Sequence, residues 1–235
     1  MARKKQKKSS SIFLTICIVI VYILYRGNII GNTYSTEELL ISYNKEDIPE
    51  YSEDKYVILN NNNPYFDDYT KEEFEIYGPL DSLGRCTYAY ANVSKHTMPK
   101  KKRESIGMIK PSGWHISKYD FIDGKYLYNR CHLIGYQLTG ENANEKNLIT
   151  CTREMNTGVM LEYENKVASY VKKTKNHVMY RVTPIFEDNN LVAKGVIMEG
   201  YSVEDSGAGI KFNIFVYNVQ DGVIIDYSNG ENYPE

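Results

Sequence analysis

The sequence predicts an α+β domain: a central antiparallel sheet with flanking helices, preceded by one apolar N-terminal helix. Three observations carry this reading. β-Rich runs recur from Tyr56 to Tyr227, separated by Asn, Asp, Gly and Pro turn signals. One segment, Met155 to Lys173, keeps apolar residues at helical spacing. A basic cluster is followed by an uncharged run at the very start of the chain. With 235 residues, 42% hydrophobic and 25% charged, most of the chain folds as one globular domain rather than remaining disordered. A mean hydropathy of −0.47 excludes a multi-span membrane protein.

Residues 1–8 read as a basic cytoplasmic tail, with Arg3, Lys4, Lys5, Lys7 and Lys8 and no acid. Ser9 to Tyr25 then runs without a charge. If Arg26 snorkels, residues 9–30 are long enough for a transmembrane signal anchor, for which about 17 apolar residues is the lower limit. Lysines before the span place the N-terminus inside and the rest of the chain outside the cytoplasm. Cleavage as a secretory signal is the alternative, although no small-x-small site follows. Residues 31–55 form an acidic tether, with a short helix expected at Thr36 to Ile41. The net charge of −2 hides this asymmetry: residues 27–235 carry about −8, which excludes a generally basic nucleic-acid coat. A polyanion must be met by a local patch.

The main domain is expected over residues 56–235. Tyr56 to Leu59 is a strand closed by a turn at Asn60 to Asn63 and Pro64. Thr70 to Tyr77 reads as a short capped helix, and Thr87 to Val93 alternates like a strand. Lys95 to Arg103 is a basic loop. Gly124 to Gly135 and Lys146 to Thr152 read as two strands joined through a loop at Gly140 to Glu145. The helix Met155 to Lys173 comes next. Three β-rich runs follow, His177 to Phe186, Leu191 to Val203 and Ile210 to Val219. A short strand at Val223 to Tyr227 precedes a polar tail. Beyond Cys17, the cysteines are Cys86, Cys131 and Cys151, with no CxxC or zinc-ligand spacing. One disulfide plus a free thiol fits, as do three buried thiols; Cys131 and Cys151 lie on strands expected to pair.

The segment from Tyr128 to Asn165 carries the chemistry. It places Asn129, Arg130 and His132 at the end of a strand, and Asn156 and Glu164 on the helix that follows the hairpin. Phosphodiester hydrolysis needs a base for the attacking water, and an imidazole suits that near neutral pH. It needs a divalent cation against the building charge, and Mg²⁺ keeps most of its waters, so one or two protein oxygens suffice. It needs a fixed cation on the phosphate, which a guanidinium supplies. His132, Asn156, Glu164 and Arg130 provide these parts. In an ideal α-helix, Asn156 and Glu164 stand about 80° apart around the axis and about 12 Å along it.

This segment resembles the DNA/RNA non-specific endonucleases of the ββα-metal (His-metal finger) superfamily, and in particular its Gram-positive, membrane-anchored EndA-type branch. The residues that carry the resemblance are Asn129-Arg130-Cys131-His132, then Asn147-Leu148-Ile149-Thr150, then Asn156 and Glu164. Cys131 stands where better-known members have Gly, and Asn129 where they have Asp. The resemblance implies a ββα finger with His132 as general base and Asn156 as direct Mg²⁺ ligand, Mn²⁺ being a substitute. It implies Glu164 as an outer group fixing metal-bound water, Arg130 as a phosphate contact, and Asn147 as a brace. It also implies DNA, and RNA with it, as substrate, with 5′-phosphate products.

Lys100, Lys101, Lys102 and Arg103 form the main positive patch available to a polyanion, and Arg153 is a further phosphate contact. Trp114, the only tryptophan, reads as a packing residue. His96, His115 and His177 read as structural or surface residues, and the 22 tyrosines show no spacing of a stacking platform. A reading of a different class is a catalytically inactive surface-anchored module of the same fold, binding nucleic acid or protein; the intact His132, Asn156 and Glu164 argue against it.

Overall fold

The computed structural model describes residues 48–235; the expected basic tail, anchor, tether helix and most of the tether lie outside the described residues. Among the described residues no helix is long and apolar enough to cross a membrane. Strands follow in chain order as β1 (Tyr56–Ile58), β2 (Glu75–Tyr77), β3 (Ala89–Val93), β4 (Tyr128–His132), β5 (Leu148–Thr152), β6 (Val178–Ile185), β7 (Gly195–Ser202), β8 (Lys211–Tyr217), β9 (Val223–Ile225) and β10 (Asn232–Pro234). Helices are α1 (Tyr136–Thr139), α2 (Arg153–Met155) and α3 (Leu161–Thr174), with a π-turn, Asn156–Met160, between the last two.

The central sheet has the order β1-β8-β7-β6-β3-β2, and every neighbouring pair is antiparallel. Strand alternation divides its residues cleanly. Val178, Tyr180 and Val182 of β6, Val196 and Met198 of β7, and Phe212, Ile214 and Val216 of β8 join one buried cluster. That cluster also holds Cys131, Leu133 and Ile134 from the β4 end and Val167, Ala168 and Val171 from α3. The finger unit, β4–β5 followed by α2 and α3, therefore packs on this face of the sheet. Asn218 adds a polar stitch: its Oδ1 accepts from the Thr152 N–H at 2.8 Å, and its Nδ2 donates to the carbonyls of Thr150 and Ala193.

The other face carries a polar row. Tyr90, Arg181, Glu199 and Asn213 sit opposite one another across four strands. Arg181 Nε donates to Glu199 at 2.7 Å, and the pair is almost completely buried. Both backbone groups of Tyr65 are gripped by it: the N–H donates to Glu199 and the carbonyl accepts from Arg181. Asn213 and Asn92 donate to carbonyls of Asn63, Thr70 and Glu72. These bonds satisfy groups whose burial would otherwise cost several kcal/mol, and they strap residues 63–72 across the sheet.

The structure corrects the expected elements at four places. Thr70 to Tyr77 is not a helix: Glu75–Tyr77 pairs with β3, and the carbonyls before it are taken by Asn92. The run from Gly124 to Gly135 is a strand only over Tyr128–His132, and the chain then turns into α1. The C-terminal tail is not free, because Asn232–Pro234 pairs with β9. The long helix is interrupted by the π-turn. The asparagine turn is present, with Asn60, Asn61 and Asn62 all at positive φ, a conformation asparagine tolerates better than most residues. Of the two cysteine arrangements left open, the structure has the disulfide: Cys131 and Cys151 are bonded across the β4–β5 hairpin, and Cys86 is a buried free thiol.

Candidate active site

An open cleft of about 910 Å³ lies over the finger unit, and Asn129, Arg130, His132, Asn156, Glu164 and Arg153 all line it. Local sequence explains the convergence. β4 and β5 are in antiparallel register, Arg130 opposite Thr150 and His132 opposite Leu148. Alternation puts Arg130 and His132 on one side of the hairpin. Thr152 then caps the helix, its hydroxyl accepting from the Met155 N–H at 3.1 Å, so Asn156 falls one turn into the finger helix.

His132 is 6% exposed. Its Nε2 lies 2.8 Å from the carbonyl oxygen of Asn142, which can only accept, so Nε2 carries the proton and Nδ1 holds the free lone pair. Burial pushes its pKa down to about 4; the Asn142 bond opposes that shift and the Arg103 charge adds to it. The ring is therefore neutral and able to accept a proton at pH 7.

Asn156 donates its amide Nδ2 to Asn129 Oδ1 at 3.2 Å. Its own Oδ1 is left as the acceptor, which is the atom a hard cation requires. Asn129 thus acts on the orientation of Asn156. Glu164 is 8% exposed and has no ion-pair partner within 4 Å among the described residues. Burial pushes its pKa up to about 7, while the nearby Gln137 amide, the Gly135 backbone and the Arg103 charge oppose that. A buried carboxylate in that state is relieved by a cation nearby. Among the described residues no cluster of three His, Cys, Asp or Glu exists. An amide oxygen and a carboxylate in one wet cleft fit a cation that keeps most of its water shell.

The π-turn changes the helix phase. It takes in about one extra residue, so the eight positions from Asn156 to Glu164 turn like about seven, within roughly 20° of two full turns. The 80° offset of an uninterrupted α-helix therefore does not hold across this turn. Gly158, with φ −91° and ψ −110°, supplies the non-helical backbone of this turn.

The remaining predicted residues are placed unevenly. Arg130 donates Nε to the Ile109 carbonyl and Nη2 to Gly107 at 2.9 Å, and its guanidinium lies 3.9 Å from the Trp114 ring centroid. It braces the loop over residues 107–109, with Nη1 left uncommitted. Arg153 donates to Asp123 at 2.8 Å. Of the basic run, only Arg103 lines the cleft; Lys100, Lys101 and Lys102 line a second groove, of about 450 Å³, beside it. Asn147 clamps the backbone N–H and carbonyl of Ile134 with its two side-chain atoms, at 2.9 and 3.1 Å. His96 and His177 pair with Glu73 and Glu204, and His115 meets the Asn229 carbonyl at the cleft edge.

Sequence reading missed Asn142, Gln137 and Gly135. The first two are ordinary loop and helix residues with no local mark. Gly135 had one: a glycine closing an apolar run signals close approach of another group. Here that group is the Glu164 carboxylate, which a Cβ on Gly135 would overlap.

Comparison with known proteins assigns the chain to a family. The family model described as DNA/RNA non-specific endonuclease covers residues 66–204, more than half of the chain. A protein named deoxyribonuclease from Streptococcus dysgalactiae subsp. equisimilis is 28% identical over 197 residues, 66% of this chain. The chain spans 59% of that relative's length. The magnesium-bound crystal structure of NucA from Streptococcus agalactiae superposes with a TM-score of 0.67 at 25% identity, covering 76% of this chain and 86% of NucA. The zinc-bound Sda1 nuclease gives a TM-score of 0.58 at 28% identity, over 69% and 81% of the two chains. The chain belongs to the DNA/RNA non-specific endonuclease family.

Proposed function

We propose that this chain is a divalent-metal-dependent nuclease that hydrolyses DNA, and RNA with it, with little sequence preference. The observation that carries the reading is the shared cleft of His132, Asn156 and Glu164, with a lone pair on Nδ1 and a free amide oxygen on Asn156. Relatives described as a magnesium-bound NucA and a zinc-bound Sda1 nuclease support a divalent cation, which we take to be Mg²⁺.

In this reading His132 Nδ1 takes a proton from a water in line with the phosphorus. The water oxygen bonds to phosphorus, and the 3′ oxygen departs and is protonated by solvent, leaving a 5′ phosphate. Asn142 keeps the imidazole in the required tautomer through its carbonyl. Asn156 and Glu164 would hold a divalent cation, which when bound offsets charge on the phosphate and the departing oxygen. Arg103 and the free edge of Arg130 attract the phosphate. Contacts confined to phosphate give low sequence preference. The apolar run at residues 9–30 supports single-pass anchoring with the catalytic domain outside the cytoplasmic membrane.

Supercoiled plasmid nicking tests this. The full chain nicks with Mg²⁺ and stops with chelator, and Asn156→Ala needs a much higher Mg²⁺ concentration. Nicking that survives chelator removes the metal from the account.

A further inference from the structure

The cleft has an apolar rim that the chemistry above does not use. Ile116 and Tyr126 both line it and are 75% and 49% exposed, and Leu161, at the start of α3, lines it at 38%. Large apolar side chains left in water beside a polar catalytic cleft call for an occupant. The other Tyr and Trp side chains lining the cleft are committed. Trp114 packs against the buried Ile122, Leu127 and Tyr128 with Arg130 on its ring, Tyr128 is buried with its hydroxyl donated to the Gly230 carbonyl, and Tyr136 donates to the Lys101 carbonyl. Tyr126 is held by a turn in which Gly124 and Lys125 both take positive φ, and by a bridge to Lys118. The Lys118 ammonium stands 4.6 Å from its ring centroid.

We propose that Tyr126, which carries the Lys118 ammonium over one face of its ring, offers the other face as a base-stacking platform, so that the nuclease favours strands whose bases are unpaired there. The proposal deepens the nuclease reading and rests on it. An aromatic ring next to an ammonium is the combination that holds single-stranded nucleic acid, the ring under a base and the cation near its phosphate. A paired base is stacked within its own duplex and offers no free face. Continuity with the catalytic residues supports the assignment. Tyr126 lies two residues before β4, along which Tyr128, Arg130 and His132 alternate, and all four line one cleft. At about 3.3 Å per residue, Tyr126 lies at most about 20 Å from His132, a few nucleotides along a strand. Arg103, Arg130 and Arg153 bring positive charge to the same cleft.

The test is steady-state cleavage by the full chain with Mg²⁺ of a fluorescent single-stranded 30-mer and of the same sequence as a blunt duplex. Tyr126→Ala raises the single-strand KM about tenfold, the effect of losing one base–aromatic stack. Its kcat stays within twofold, and the duplex KM changes by less than twofold. Tyr126→Phe keeps the wild-type values, whereas Tyr126→Leu, which keeps bulk without a π face, behaves like the alanine variant. Phe121→Ala, an aromatic still more exposed than Tyr126 but outside the cleft lining, is the control and changes neither substrate. Equal effects on both substrates, no effect on either, or a leucine variant as good as phenylalanine would overturn the platform. A wild-type chain that cleaves neither substrate overturns the nuclease reading itself.

Discussion

Replacing Gly135 by alanine separates the fold of the finger from its chemistry. A Cβ at this position stands 2.5 Å from the Glu164 carboxyl carbon, more than 1 Å inside ordinary carbon–carbon contact. The backbone of Gly135 is fixed by the strand exit and by the Asn147 clamp on Ile134, so the carboxylate must move. Moving it takes the carboxylate away from the Gly135 backbone, which favours its ionised form. Local overpacking costs about 1–3 kcal/mol. The carboxylate can swing into the cleft and regain water, which puts the expected loss at the low end of that range, about 1 kcal/mol. A displacement of about 1 Å in a catalytic group costs on the order of 100-fold in rate. Gly135→Ala is therefore expected to keep a cooperative melt close to wild type while plasmid nicking at saturating Mg²⁺ falls about 100-fold. Wild-type nicking by this variant would show that the position of the Glu164 carboxylate is irrelevant to the reaction. Loss of the melt would show that the glycine serves the fold instead.

Other perturbations read other parts of the account. His132 has its folded pKa lowered to about 4 from an ordinary 6.5, so the unfolded chain binds the extra proton between those values. Its contribution is intact above pH 6.5 and is lost as pH falls toward 4, by about 3 kcal/mol in all; melts in chelator should show a flatter acid dependence for His132→Gln than for wild type. Glu199→Ala leaves Arg181 buried without its carboxylate and releases the Tyr65 N–H. It should lose about 3–5 kcal/mol in denaturant melts, and a loss under 1 kcal/mol would mean that the strap is not held there. Removing the disulfide with Cys131→Ala and Cys151→Ala should cost about 3 kcal/mol for a loop of this length. The buried Cys86 thiol, pushed up to about 12, should resist iodoacetamide in the native state and react once the chain is unfolded.

What the sequence made legible followed from local periodicity. The three long central strands, β6 to β8, were readable because alternating faces leave a period-two mark. Arg130 and His132 could be placed on one side of a hairpin for the same reason. The parts that were hidden depend on contacts between distant segments. Nothing near Asn156 reveals that Asn129 takes its amide hydrogens, and nothing near Glu75 reveals that β3 offers it an edge. The π-turn was invisible because the apolar residues after it resume a regular helical rhythm. Gly135 was missed as well, because what approaches it is a carboxylate from a helix 29 residues further along the chain.

The most direct test of the central claim is the nicking rate of His132→Ala at saturating Mg²⁺, with and without added imidazole. The account predicts a fall of 100-fold or more, as expected for loss of a positioned general base, and partial recovery when imidazole diffuses into the open cleft. A variant that nicks within twofold of wild type, with no response to imidazole, would contradict it.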